Sequence, residues 1–197
     1  MTFIKSALEI ALEKTDGIKS DKSALAAAEG KEEGKKLASA FFQDTGMDLG
    51  GALKKIPAER LPAVKEGIFS VILANLVLPR DEEDIKKLDA LTAALGILIK
   101  DKAQVKTLKS QLAGFFQQWL DDKKRLEEAL RGQLGPLLKQ KEAQLARQLG
   151  RAVRIDPRTD PDYMKAYNKN MGNLESQYAS ALAQAKEDIT ALMGQRL

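Results

Sequence analysis

Between Asp101 and Gly150 the apolar positions recur at helical spacing. Val105, Leu108, Leu112, Phe115 and Trp119 step by three and four residues, which predicts a helix with one packed seam. Leu126, Leu130, Leu134, Leu137, Leu145 and Leu149 continue the seam with looser steps, so a regular supercoil is not expected throughout. Pro136 predicts a kink or break near Gly132–Pro136, because proline lacks an N–H and crowds the preceding turn. A second helix is expected over Pro161–Gly194, with Met164, Tyr167, Met171, Leu174, Tyr178, Leu182, Ala185, Ile189 and Leu192 as its seam. Between the two, Ile155 to Asp162 holds two prolines and three aspartates, which oppose helix and favour a turn, and Asp160-Pro161 suits an N-cap followed by a first helical residue.

The expected architecture is therefore all-α. Residues 1–100 form a helical body and residues 101–197 a long antiparallel, coiled-coil-like hairpin, with its turn near 155–161 and its base packed on the body. A turn centred on Arg158 pairs Leu149 with Tyr167, Leu138 with Tyr178 and Leu126 with Thr190. In that register the return arm ends near Lys123, residues Val105–Leu120 project beyond it, and Trp119 becomes a junction residue covered by the body.

The body reads as helices in series. Thr2–Thr15 is amphipathic through Ile4, Leu8, Ala11 and Leu12, and Asp16-Gly17 is expected to end it. A second helix runs from Asp21 or Ser23 to about Gln43. Its Gly30 and Gly34, one turn apart, either admit another helix closely or simply weaken this one by roughly 1 kcal/mol each. Ala52–Ile56 is expected to be a helical turn, or the end of a short helix, stopped by Pro57. The stretch Leu61–Leu78 is apolar nearly all round and should be the centre of the body. Arg80 to Asp84 then opens a helix packed through Ile85, Leu88, Leu91, Leu95, Leu98 and Ile99. No stretch alternates with period two, and no repeat is evident.

Composition narrows the chemistry. The chain has no cysteine and no histidine, which removes the thiolate nucleophile, the commonest general base and the commonest transition-metal ligands together. Asp44-Thr45-Gly46 spells a protease triplet, but in one copy within a helical chain. Gly46 and Gly51 have phosphate-loop spacing without the required lysine. Glu29, Glu32 and Glu33 lack the histidines of a carboxylate metal site. Asp81 to Asp84 lacks calcium-loop spacing and reads as a helix start. A non-enzymatic chain with no catalytic, metal or cofactor-binding residue and no small-molecule substrate is expected. The most apolar window, Gly67–Leu78, is too short for a membrane span, which needs about 20 residues. No signal-peptide pattern is read at Met1, so a cytoplasmic protein is the expectation.

Charge is the informative departure. Residues 101–155 carry 12 basic and 6 acidic side chains, while the segments on either side are each net −1. Arg147, Arg151 and Arg154 are expected to share one helical face at i, i+4, i+7, opposite Leu145 and Leu149, with Arg158 beyond in the turn and Lys139 and Lys141 before. Such a set can grip phosphates or an acidic protein surface, or can be a solvated face. No aromatic side chain accompanies it for base stacking. The expected partner is another protein or a second copy, with an anionic partner such as RNA on a ribosome as the alternative.

Two pieces, Ile4 to Thr15 and Ile155 through Tyr163 with Leu174-Glu175-Ser176-Gln177-Tyr178, resemble a small uncharacterised family of bacterial all-helical proteins. That resemblance implies an all-helical fold and carries no activity. In outline, a body bearing a helical hairpin is also similar to stalk subunits of rotary ATPases and to hairpin chaperones, a likeness of shape alone.

Overall fold

A computed structural model describes residues 7–44 and 46–194, with side chains described from Ser23 onward in the first helix. Six α-helices follow one another: α1 Ala7–Gln43, α2 Leu49–Lys54, α3 Leu61–Asn75, α4 Glu82–Leu98, α5 Lys102–Leu149 and α6 Pro161–Gly194. A single 3-10 turn, Pro157–Thr159, lies between α5 and α6, and no strand occurs among the described residues. Two compact units are interleaved along the chain. Among the described residues, the first comprises 7–76 and 89–106, and the second comprises 77–88 and 107–194.

In the first unit α1 packs on α3 through backbone rather than side chains. A Cβ added at Gly34 would stand 2.0 Å from the Val64 carbonyl oxygen, and one at Gly67 would stand 2.1 Å from the Lys31 carbonyl oxygen. At Gly30 it would meet the Ala63 Cβ at 2.8 Å. Of the two readings of Gly30 and Gly34, close approach of another helix is the correct one. Small residues four apart on both helices, Gly30 and Gly34 against Ala63 and Gly67, let the helix axes approach as no larger side chain would. Ion pairs flank the contact, Lys31 to Glu66 at 2.7 Å and Arg60 to Glu33 at 2.8 Å. Both are about half exposed and add little stability compared with the close packing beside them. Val64, Ile68 and Ile72 of α3 are buried, as are Ala38 and Phe41 of α1. The expected α4 face is also buried at Leu88, Leu91, Leu95 and Leu98, with Ile99 just beyond the helix.

Several boundaries differ from the sequence reading. The helix does not stop at Asp16-Gly17: α1 is continuous from Ala7 to Gln43. The apolar face proposed for Ile4, Leu8, Ala11 and Leu12 lies outside the described side chains. Of the two readings of Ala52–Ile56, the end of a short helix is nearer the structure: α2 begins at Leu49, where the Asp48 carboxylate accepts the Gly51 amide at 2.8 Å, and runs to Lys54. Helix α3 ends at Asn75, so Val77 lies outside it and is 60% exposed.

Helix α5 runs through Pro136 without a break. The lost hydrogen bond and the ring's crowding cost about 3 kcal/mol in an isolated helix. Packed leucines on both sides outweigh that here: Leu130 and Leu138 are buried with Tyr163, and Leu126 and Leu134 pack on the same cluster. Glycines in this helix and in α6 have a different meaning from those in α1. A Cβ at Gly132 or Gly172 would meet nothing within 4 Å. Gly132→Ala and Gly172→Ala are therefore expected to raise stability by up to about 1 kcal/mol each, read as a higher melting temperature by circular dichroism. Loss of stability at both sites would refute the open surroundings.

Candidate functional site

The second unit is held by α6 lying against α5. The Tyr178 hydroxyl donates to Asp122 at 2.6 Å, and the Tyr167 hydroxyl donates to Glu127 at 3.4 Å. Lys141 donates to Asp160 at 2.6 Å and to Asp162 at 2.7 Å. In these contacts residue numbers fall along α5 as they rise along α6. Burial pushes the Tyr178 hydroxyl up to about 12, with the Asp122 carboxylate as its partner. Tyr167 is raised for the same two reasons, burial first and Glu127 second.

The register differs from the one drawn about Arg158. Tyr178 meets Asp122 and stacks near Phe115 and Trp119, with ring centroids 5.2 and 5.1 Å away, and does not lie opposite Leu138. Leu138 instead packs with Tyr163. Toward the other end, Leu108, Leu112, Ala185, Ile189 and Leu192 line one apolar groove of about 280 Å³. Residues 108–119 of α5 thus have α6 beside them and do not project past it. The physical reason is the connector. Gly150, at φ +66°, ends α5 in the left-handed conformation that glycine tolerates. The chain then folds back along α5, and the Ile155 amide donates to the Glu142 carboxylate at 2.8 Å. Asp156 accepts the Arg158 amide at 2.9 Å and opens the 3-10 turn. Asp160 accepts the amides of Asp162 and Tyr163 at 3.1 and 2.9 Å, capping α6 as its sequence implies. Because the chain returns to the level of Lys141 before α6 begins, the last two turns of α5 extend beyond the start of α6.

The sequence-derived candidates separate at this end. Arg147, Arg151, Arg154, Arg158 and Lys139 are exposed. The single helical face expected for Arg147, Arg151 and Arg154 does not form: α5 ends at Leu149 and Gly150 takes φ +66°, so Arg151 and Arg154 lie in the connector. None of the five joins the ion pairs formed among the described residues. Lys141 is different. Its side chain is 28% exposed and holds Asp160 and Asp162, so it ties the start of α6 to α5. Its ammonium is raised by the hydrogen bond to Asp160 first and that to Asp162 second, and Asp160 is lowered chiefly by Lys141. Asp160 is a carboxyl held below its unfolded value of about 3.9, so its contribution to stability is complete above that pH and fades as pH falls through the lower folded value. The difference in melting temperature between wild type and Asp160→Asn should accordingly be constant from pH 5 to 8 and shrink below about pH 4. A difference that persisted undiminished at pH 2 would contradict this.

Three leucines on one stripe of α5 record where its cover ends. Leu138, Leu145 and Leu149 share a face, and their exposures are 8%, 37% and 57%. Sequence periodicity placed Leu145 and Leu149 in the seam, and nothing in it marks them as uncovered. A cavity of about 170 Å³ lies well back along α5 from these leucines, lined by Glu127, Arg131, Arg158, Tyr163 and Tyr167 among others. Among the described residues no group of three or more acidic side chains is placed to hold a metal ion. Within the two acidic clusters, Glu32 pairs with Lys35, Glu33 with Arg60, and Asp84 with Arg80 and Lys87. No described helix is long and apolar enough to cross a membrane.

Fold and site define an all-α protein that presents a basic helix end edged by exposed leucine. The chain belongs to DUF6657, a family of unknown function, whose model matches residues 50–191. That span contains the arginine-bearing end of α5 and most of α6, and leaves out α1. No curated protein and no solved structure matches the chain.

Proposed function

We propose that the chain is a non-enzymatic helical scaffold or adaptor, in which α5 and α6 act as a long antiparallel hairpin that engages a protein partner or a second copy. The observation that carries this reading is the leucine stripe of α5, whose exposure rises from 8% at Leu138 to 57% at Leu149 where α6 has not yet begun. Apolar side chains in register with a packed seam, yet bare to water, favour association with another apolar surface. The experiment is affinity purification of the tagged full chain from its native cell at low salt, repeated with nuclease and at high salt, together with light scattering of the pure protein. Protein partners that survive both treatments, or a mass of two or more chains, support the reading. A one-chain mass with no retained protein overturns it.

A second reading rests on a different observation. Arg147, Arg151, Arg154 and Arg158 are exposed and free of ion pairs among the described residues. They would suit RNA or another phosphate-rich surface, whose affinity falls steeply with salt as counterions are released. Loss of all partners to both nuclease and high salt would favour this reading over the first.

A further inference from the structure

We infer that the cavity enclosed by α5, the 3-10 turn and the first turns of α6 binds a small zwitterion, a free α-amino acid with an apolar side chain. This goes beyond the adaptor reading and does not rest on it. Every residue of the wall belongs to the second unit. Glu127 and Arg131 come from α5, one helical turn apart, and Asp156 and Arg158 come from the turn before α6. The wall thus holds two guanidinium and two carboxylate groups. Opposite charges so placed usually pair. Here none of the four joins an ion pair among the described residues. Their other commitments are slight. Glu127 accepts the Tyr167 hydroxyl at 3.4 Å, and Asp156 accepts the Arg158 amide at 2.9 Å. A carboxylate has about four lone-pair positions, so both keep acceptor capacity.

A second observation concerns the same space. Tyr163 lines the cavity and is only 5% exposed, yet its hydroxyl has no hydrogen-bond partner among the described residues. A tyrosine hydroxyl on so buried a ring ordinarily finds one. The Tyr167 hydroxyl feels the same groups: burial raises it first and Glu127 next, while Arg158 acts in the opposite sense. The occupant follows from this set. A carboxylate would take the two guanidinium forks and the Tyr163 hydroxyl. An ammonium would take the free oxygens of Glu127 and Asp156. Pro157, Met164 and the tyrosine rings suit an apolar side chain. A simple anion would face two carboxylates with nothing to offer them, and a simple cation would face two guanidinium groups. At about 170 Å³ the cavity is smaller than the roughly 300–1,000 Å³ of sites for drug-sized ligands, which excludes a nucleotide.

The test is isothermal titration calorimetry of the full chain with four probes. They are L-leucine, isocaproate, which lacks the ammonium, isopentylamine, which lacks the carboxylate, and inorganic phosphate. L-leucine is expected to bind with a dissociation constant below about 1 mM. Each of the other three should bind at least about tenfold more weakly. Arg131→Gln, Arg158→Gln and Glu127→Gln each remove one charge and should each weaken L-leucine by about tenfold or more. Tyr163→Phe keeps the ring in its cluster with Leu130 and Leu138 and should weaken L-leucine by about threefold or more. An unchanged melting temperature establishes that a variant keeps its fold. Arg131 and Arg158 are exposed, so their variants decide the matter even where Tyr163→Phe does not fold. No binding of L-leucine to the wild type would overturn the inference. So would isocaproate, isopentylamine or phosphate binding as tightly, or L-leucine affinity unchanged in the three charge variants. None of these outcomes bears on the adaptor reading, which retained protein partners and the mass in solution decide.

Discussion

Gly34→Ala is expected to destabilise the first unit by more than about 3 kcal/mol, although the same change in an open helix position stabilises. The added Cβ would fall 2.0 Å from the Val64 carbonyl oxygen and 2.9 Å from its carbon. Those are backbone atoms, so no side-chain rotation can make room. Helices α1 and α3 must separate, and separation also loosens Val64 and Ile68, both fully buried. Gly67→Ala should behave alike, since its Cβ would meet the Lys31 carbonyl oxygen at 2.1 Å. Chemical denaturation followed by circular dichroism measures this, with Gly132→Ala as the matched control in a helix where a methyl group meets nothing within 4 Å. Equal stability of Gly34→Ala and wild type would refute the backbone contact.

Trp119→Ala should cost about 3–5 kcal/mol in the second unit. The indole is 5% exposed, its ring centroid lies 5.1 Å from that of Tyr178, and its Nε1–H donates to the Pro79 carbonyl at 2.8 Å. Alanine removes the ring from the packed seam and leaves that carbonyl without its donor, which by itself costs about 1–3 kcal/mol. Lys123, which lies 5.4 Å from the ring centroid and donates to the Arg80 carbonyl at 3.2 Å, loses its ring contact as well. Trp119→Phe separates the two losses, because it keeps most of the apolar bulk and removes only the donor. It should cost roughly a third of the alanine change. A loss below about 1.5 kcal/mol for Trp119→Ala would mean that the segment at Pro79 is held by something other than this residue.

How much of this was legible beforehand depends on the range of the interaction. The bounds of α6 were readable because Asp160-Pro161 is a local cap signal and its seam never loses step from Met164 to Leu192. Helix α5 was readable for the same reason, but of the kink or break expected at Pro136 the break does not occur. A local rule assigns the proline its cost, whereas Leu130, Leu138 and Tyr163 that offset it come from two separate helices. Asp16-Gly17 was likewise a local stop signal that the continuous α1 overrides. The register of α6 on α5 was wrong because a 3.6-residue seam satisfies several registers about equally well. The path of residues 150–160 selects among them, through Gly150 and the pairing of Ile155 with Glu142.

The same division holds for the candidate site. The sequence by itself determined the all-α class, the positions of the two long helices, the lack of histidine and cysteine chemistry, and the concentration of positive charge in residues 101–155. These follow from side-chain identity and near-neighbour periodicity, which act within a few turns of chain. Only the tertiary structure decided which cations are committed and which apolar residues stay bare. Lys141 is taken up by Asp160 and Asp162, nineteen and more residues away in the chain, while Arg147, Arg151 and Arg154 are left to solvent. Leu138 is covered and Leu149 is not, though both obey one pattern, because cover depends on where the neighbouring helix begins. That is a fact of the connector's fold, and no spacing within α5 encodes it.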